Sequence, residues 1–268
     1  MRWVNGISRL GRLEHTISQV ESVAAKSLAT HIKKPFLNAL PCTTPLLDGQ
    51  SVLSNSIGYV QHIDMATLQA LAKQENLKIQ LNCVPGDFIH KNFAITSFKA
   101  NQDLDLDVIG QKINDAFHVG DTRWFEEDPR FGFIALSEIA SKALSPGIND
   151  PGTAIQIIGS HERLFFLWNE SFENDQKNEI LYDCLTVPKI SMVDFFDDAF
   201  RPISSDGAGN IEVMLRLQKV FKSIETINDE DIKKLAIQYS KEAYKRAKLV
   251  MKFKPDLDVL KKECLFYN

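Results

Sequence analysis

Polar residues capable of chemistry are concentrated in the segment "KALSPGINDPGTAI", residues 142–155. Ser145, Asn149, Asp150 and Thr153 lie there in a short turn between two apolar stretches. Around the amino terminus of a following helix, free backbone amides and the helix dipole favour an anion such as a phosphate. Asp150 would repel a bare anion unless a metal ion bridges them. With Arg123 from upstream, these four residues are the predicted ligand-binding residues.

A helix junction explains part of the same segment without any ligand. Asp150 can accept hydrogen bonds from the first turn of a helix, and Pro151 suits the first helical position because it has no amide to satisfy. Pro146 and Gly147 are typical of the end of the preceding helix. The segment therefore has two interpretations, a binding site or a capped turn between two helices.

A second group of acids precedes Pro129 in "DTRWFEEDPRFGF", residues 121–133. Carboxylates can hold a divalent ion or exchange protons, so Glu126, Asp128 and Asp150 are weak candidate metal ligands. They would support an alternative function, metal-dependent hydrolysis of a small phosphorylated or acyl substrate. However, Asp128-Pro129 and Asp150-Pro151 mark two successive helix starts, which a helix hairpin places at opposite ends. No catalytic residue and no cofactor is assigned.

Hydrophobic periodicity predicts an α+β chain. We predict a first helix over 13–32, a proline-rich linker, strands over 57–63, 77–84 and 93–98, and a helix over 65–76. From residue 104 onward the chain reads as almost all helix. The predicted helices are 105–118, 128–144, 151–169, 191–200, 208–223 and 229–253. The predicted regions are an amino-terminal helix and linker (1–47), a small β-rich module (48–103) and a larger helical domain (104–268).

Composition narrows the function classes. A net charge of −4 over 268 residues argues against a dedicated nucleic-acid binder. Four dispersed cysteines predict no zinc site or disulfide framework and fit a reducing compartment. Residues 1–34 carry six basic groups against two acids, with Trp3 among them. That opening could lie beside a membrane surface, or it could be an ordinary solvated helix. His161 falls on an apolar helical stripe and is predicted to be a core residue.

Four strings, in this order along the chain, resemble a large bacterial family of predicted integral membrane proteins of unknown function. They are "SIGYVQHID" (56–64), "VPGDFI" (84–89), "DTRWFEEDPRFGF" (121–133) and "KALSPGINDPGTAI" (142–155). The last string is the most specific. "PGDFI" also resembles the turn of biotin and lipoyl carriers, but Lys91 in "IHKNF" has no carrier setting, so a cofactor arm is not predicted.

The resemblance implies an amino-terminal membrane part followed by a cytosolic region, of which this chain would be the second. Residues 1–47 would then be juxtamembrane, contacting the protein's own membrane domain or the membrane surface through residues 1–34. The implied location is the cytoplasmic side of the inner membrane. The implied role is a ligand-sensing, gating or assembly domain that forms a homo-oligomer. A structural scaffold is a further alternative.

Overall fold

The structure, a computed structural model, describes residues 2–44, 46, 49–100, 105–172 and 179–267, with the backbone alone at 2–12, 170–172 and 267. The helices are α1 (Arg2–Lys33), α2 (Met65–Gln74), α3 (Leu106–Asp115), α4 (Phe131–Leu144), α5 (Pro151–Phe172), α6 (Met192–Asp206), α7 (Ile211–Glu225), α8 (Glu230–Val250) and α9 (Lys254–Glu263). The strands are β1 (Ala39–Pro41), β2 (Gln50–Leu53), β3 (Gly58–Ile63), β4 (Leu77–Leu81), β5 (Phe88–Ile89), β6 (Ala94–Ala100), β7 (Phe117–Gly120) and β8 (Tyr182–Val187). The predicted α+β class is confirmed.

Short strands account for most differences from the predicted elements. β7 and β8 lie in the region expected to be almost all helix, and β1 lies in the expected proline-rich linker. Each is held by pairing with strands distant in sequence, which no local pattern records. α9 is a separate helix, since α8 ends at Val250 rather than at 253. The predicted region boundaries at 47/48 and 103/104 fall outside the described residues.

The chain divides into two compact units. Unit 1 comprises Met1–Leu28, Gly132–Asn174 and Ser191–Asn268, and unit 2 comprises Ala29–Phe131 and Asp175–Ile190. Within the described residues, the strands of unit 2 form a five-stranded sheet of order β1-β8-β4-β6-β2 and a three-stranded sheet of order β5-β3-β7. β8 lies between β1 and β4, parallel to both, so a late segment of the chain completes the centre of this sheet.

Gln69 of α2 fastens β8 in place. Its side-chain amide donates to Asp183 at 2.5 Å, and its carbonyl oxygen accepts from the backbone N–H of Cys184 at 3.1 Å. Gln69 is buried, and a buried amide is costly unless its hydrogen bonds are made. Because both its amide group and its carbonyl oxygen bond to β8, Gln69 holds this strand against α2.

Unit 1 is a helical bundle with an aromatic centre. Buried phenylalanines of α4, α5, α6 and α7 meet there, with rings packed edge-on or tilted as their quadrupoles favour. They are Phe133, Phe165, Phe195, Phe196, Phe200 and Phe221. α7 packs against α5, α8 and α9, and α6 packs against α8.

α1 joins this bundle through one apolar stripe. Ile17, Ala24 and Leu28 are buried, at the helical spacing expected for a packed face. Gly132, in the first turn of α4, lies so close to α1 that an added Cβ would overlap the Cβ of Ala24. The missing side chain at Gly132 therefore permits the close approach of α4 to α1.

Candidate functional site

The junction between α4 and α5 brings together four of the predicted ligand-binding residues, and three of them are engaged in the turn itself. The Ser145 hydroxyl donates to the Lys142 carbonyl at 2.7 Å. Asp150 accepts from the Thr153 backbone N–H at 3.2 Å and from the Thr153 hydroxyl at 2.6 Å. These are the contacts of an N-cap at the first turn of α5. Asp150 and Thr153 therefore already stabilise each other without a ligand.

Asn149 completes the turn through its backbone. Its φ of 51° is left-handed, a conformation that asparagine tolerates better than most residues. Its N–H donates to the Ser145 carbonyl at 2.8 Å, and the N–H of Asp150 donates to the Ala143 carbonyl at 2.8 Å. The Asn149 side chain is exposed and makes no hydrogen bond within the part of the chain that the structure describes. It is the polar group of this turn that remains available to a ligand.

Arg123 belongs to unit 2, where its partner is Asp128. Arg123 Nε lies 2.5 Å from Asp128 Oδ2, and the Arg130 backbone N–H donates to Asp128 Oδ1 at 3.0 Å. The Asp128 side chain is 2 % exposed, so this is a buried ion pair. The Arg123 guanidinium also lies 5.5 Å from the ring centroid of Tyr59 and 5.9 Å from that of Phe131. A cation between aromatic faces is stabilised by their quadrupoles.

Asp87, in the "PGD" turn, faces the same cluster. Burial raises the pKa of Asp87, and the nearby Asp128 carboxylate adds to the rise, while the backbone N–H of Val84 and the guanidinium groups of Arg130 and Arg123 oppose it. The residues Pro85-Gly86-Asp87 are typical of a turn, and turn residues are normally solvated. No feature of the local sequence indicates that Asp87 is half-buried beside Asp128.

Glu126 and Asp128 lie in unit 2, whereas Asp150 lies in unit 1. Glu126 is exposed, Asp128 is paired with Arg123, and Asp150 caps α5. Among the described residues, no three histidine, cysteine, aspartate or glutamate side chains are grouped so that they could hold a metal ion. Asp128 also does not start α4 at Pro129 as predicted: residues 129 and 130 form a turn, and the helix begins at Phe131.

A serine–histidine pair, Ser137 and His161, lies inside unit 1, and its hydrogen bonds stabilise the fold. Pro202 lies inside α6 and has no N–H to donate to the Asp198 carbonyl four residues earlier. The Ser137 hydroxyl donates to that carbonyl instead, at 2.6 Å. Since its one proton is used there, Ser137 accepts from His161 Nε2, 3.1 Å away. The pair therefore repairs a helix rather than preparing a nucleophile.

His161 is fully buried and stacks on Phe133 with a ring separation of 5.6 Å. The predicted core placement of His161 is confirmed. Burial lowers its pKa to about 3, with the Glu21 carboxylate opposing that shift, so the ring is neutral. The other ring nitrogen, Nδ1, has no hydrogen-bond partner among the described residues. Because the ring proton is on Nε2, His161 Nδ1 can only accept a hydrogen bond.

Three of the four strings that resemble the membrane protein family meet in unit 2. Tyr59, Gly86 with Asp87, and Arg123 with Asp128 come from three separate strings and contact one another around the sheet β5-β3-β7. The fourth string is the α4–α5 junction of unit 1. The shared strings thus correspond to two structural features, a buried ion-pair cluster in unit 2 and a capped helix turn in unit 1.

Comparison with known proteins agrees with the resemblance. The model of a family described as "Predicted membrane protein (DUF2254)" matches residues 1–223. Uncharacterized proteins of Mycobacterium bovis and of Mycobacterium tuberculosis are each 29% identical over 119 residues, which is 43% of this chain and 23% of each relative. The matched stretch thus spans less than a quarter of the length of these relatives. No solved structure matches.

No helix in the described part of the chain combines the length and the apolar character needed to cross a membrane. The family match nevertheless extends over most of the chain, from α1 through nearly all of α7. The chain belongs to this family of predicted membrane proteins of unknown function.

Proposed function

We propose that this chain forms the cytoplasmic, extramembrane region of a membrane protein and acts there as a gating and assembly element. The observation that carries the proposal is the way α1 is fixed to unit 1. α1 is a single helix of 32 residues. Its second half is packed into the bundle, and its first half carries Arg2, Trp3, Arg9 and Arg12 in the sequence.

Glu21 fixes α1 to α5 by two parallel hydrogen bonds. Arg163 Nε lies 2.5 Å from Glu21 Oε1, and Arg163 Nη2 lies 2.7 Å from Oε2. The Ser160 hydroxyl adds a third hydrogen bond to Oε2 at 2.6 Å. The hydrogen bond from Arg163 is the main reason that the pKa of Glu21 is lowered. Bidentate pairs constrain orientation as well as distance, so this pair links the position of α1 to that of α5.

α5 begins at the predicted ligand-binding turn. Asp150 and Pro151 start the helix to which α1 is fastened nine to thirteen residues later, at Ser160 and Arg163. A ligand that reorders the turn and a membrane that shifts α1 would therefore act on one rigid helix. This arrangement supports a role that combines sensing with gating, because two inputs bias the same element.

An enzymatic role is less well supported by the geometry. Asp150 and Thr153 satisfy each other, and the Ser137 hydroxyl is committed to the Asp198 carbonyl. A nucleophile or general base needs a free lone pair directed at a substrate. The groups that most resemble catalytic residues are instead used to complete helix ends and a proline-interrupted helix.

The test is binding to lipid vesicles followed by hydrogen exchange. The chain should sediment with vesicles that contain phosphatidylglycerol and not with pure phosphatidylcholine vesicles. Replacing Arg2, Arg9 and Arg12 by glutamate should weaken binding, since each basic residue near an anionic surface contributes about 1 kcal/mol. The matched control reverses three exposed lysines outside α1 and α8, namely Lys91, Lys99 and Lys189.

The proposed coupling of α1 to α5 is tested on the same vesicles. Binding should change amide exchange in α5 around Ser160 in the wild type, and Glu21→Gln should abolish that change while the protein still binds. Unchanged exchange in α5 of the bound wild type would reject the gating proposal. Light scattering on and off vesicles tests the proposed homo-oligomer, which a monomer under both conditions would contradict.

A further inference from the structure

The end of α8 and the turn into α9 expose large apolar side chains to solvent. Leu249 is 87% exposed, Phe253 is 64% exposed and Val250 is 54% exposed. The buried stripe of α8 ends at Ala247, one turn before the helix ends. Exposed apolar groups this large, clustered within five residues, point to an interaction surface.

Cations surround these apolar side chains. The segment "KRAKLVMKFK", residues 245–254, has five basic residues and no acid. They are Lys245, Arg246, Lys248, Lys252 and Lys254. In the part of the chain that the structure describes, no salt bridge involves any of the five; by contrast, Lys233 and Lys234 at the start of α8 are paired with Glu230 and Asp231. Among the described residues, the lysines at the start of α8 are therefore paired with acids, whereas the basic residues at its carboxyl end are not.

The backbone presents these side chains at a corner. α8 ends at Val250, Met251 is extended with a ψ of 123°, and α9 starts at Lys254 with Pro255 in its first turn. Phe253 precedes α9 without a side-chain cap. Leu249 and Val250 are the last two residues of α8, and Phe253 lies in the connection to α9, so the three exposed side chains lie at this corner.

We propose that this turn, residues 245–254, inserts its apolar side chains into the surface of an anionic lipid bilayer. Apolar residues flanked by Lys and Arg are the composition of interfacial membrane anchors, in which the apolar groups enter the acyl boundary and the cations contact lipid phosphates. The turn lies beyond residues 1–223 matched by the family. It is a membrane contact additional to α1.

Charge decides between the lipid surface and a second copy of the chain. In a two-fold dimer the same patch faces itself, which would bring two sets of five cations together. A bilayer containing acidic lipid supplies the opposite charge and an apolar layer at once. A nucleic acid would satisfy the cations but would leave Leu249 and Phe253 without an apolar partner.

The experiment measures binding of the full chain to vesicles of phosphatidylcholine with about one-third phosphatidylglycerol, against pure phosphatidylcholine. Leu249→Ser with Phe253→Ser leaves the charge unchanged and should weaken binding at least tenfold. Lys248→Gln with Lys252→Gln should also weaken binding more than tenfold, since each charge accounts for about a fivefold change. The control, Leu106→Ser with Val108→Ser, alters two apolar residues of α3 that are 49% and 47% exposed, and this variant should bind as the wild type does.

Hydrogen exchange separates this contact from that of α1. Vesicle binding should protect amides of residues 247–254 in the wild type and also in the Arg2, Arg9 and Arg12 variant, at higher lipid concentration. Protection limited to residues 1–34 would overturn the inference and leave the proposed function standing. Wild-type affinity of the Leu249 and Phe253 variant would overturn it, as would tighter binding to a DNA duplex than to the vesicles.

Discussion

The Asp128 carboxylate occupies the space that a side chain at Gly86 would need. A Cβ added to Gly86 would lie 2.5 Å from Asp128 Cγ, and Gly86 has a φ of +97°. Glycine is thus required there twice, by its backbone conformation and by the buried acid beside it. This contact joins the string "VPGDFI" to the string "DTRWFEEDPRFGF" inside unit 2.

Gly86→Ala is expected to destabilise the protein by about 2–4 kcal/mol, because it adds strain at a positive φ and a clash with Asp128. Urea denaturation measures the loss. Gly147→Ala is the matched control, since a Cβ there meets no atom within 4 Å. Equal stability of the Gly86 and Gly147 variants would contradict the close contact with Asp128.

The Arg123–Asp128 pair should behave as a coupled unit. Asp128→Asn or Arg123→Met alone leaves one buried charge unpaired and should cost about 3–5 kcal/mol. The double variant should lose clearly less than the sum, with a coupling of roughly 2 kcal/mol in a double-mutant cycle. Additive losses would mean that the two side chains do not stabilise each other.

Asn149 separates the two interpretations of the α4–α5 junction. Because its φ is 51°, Asn149→Gly should preserve stability, whereas Asn149→Ala should cost about 1 kcal/mol. Asn149→Gly therefore removes the side chain without disturbing the turn. Thermal unfolding of both variants, compared with the wild type, measures these effects.

The same glycine variant tests ligand binding. A ligand at a hundredfold excess over its dissociation constant adds about 2.7 kcal/mol of stability. If phosphate, a nucleotide or a divalent metal raises the melting temperature of the wild type but not of Asn149→Gly, the junction is a binding site. An equal shift in both proteins would place that ligand elsewhere.

Ser137 and Pro202 should be coupled although they lie in different helices. In the wild type, Ser137→Ala removes the hydrogen bond from the Ser137 hydroxyl to the Asp198 carbonyl and should cost about 1 kcal/mol. In a Pro202→Ala background the backbone N–H of residue 202 can donate to that carbonyl, so the same change should cost less than half as much. Identical costs in both backgrounds, measured by chemical denaturation, would reject the repair role of Ser137.

His161 should make stability depend on pH. Its pKa is about 3 in the folded protein against an ordinary value of 6.5, so the unfolded state binds more protons between these values. The stability that depends on neutral His161 is therefore present above pH 6.5 and is lost as the pH falls towards 3. Between pH 7 and pH 5 the free energy of unfolding should decrease by about 2 kcal/mol from this residue. His161→Phe should reduce this slope.

Part of the slope should remain in that variant. Burial also lowers the pKa of His31, to about 4, so His31 contributes in the same direction. Urea titrations of both proteins at pH 7 and 5 give the two slopes, and an unchanged denaturant dependence confirms that the variant unfolds in the same way. An undiminished slope would show that His161 is not the neutral buried group described here.

Local patterns predicted the existence of the longer helices, although α1 begins at Arg2 rather than at 13 and α6 continues to Asp206 rather than ending at 200. The start of α5 at Pro151 follows from Asp150-Pro151, and the limits of α2 follow from Asp64 and an apolar period; Asp64 accepts from the Thr67 N–H at 2.9 Å. Caps and periodicity act over a few residues, so they are readable without the fold. The candidate site was predicted only in part, because the burial of Asp87 and of Asp128 depends on segments about forty residues apart.

The α+β class, the main helices and the polar composition of the α4–α5 turn are readable from residue patterns, since these depend on contacts within one or two helical turns. Long-range packing places β8 in the sheet beside β4, pairs Arg123 with a buried Asp128, and brings the Ser137 hydroxyl to the Asp198 carbonyl. The same holds for the exposure of Leu249 and Phe253. Those features arise from packing between distant segments, which residue spacing does not encode.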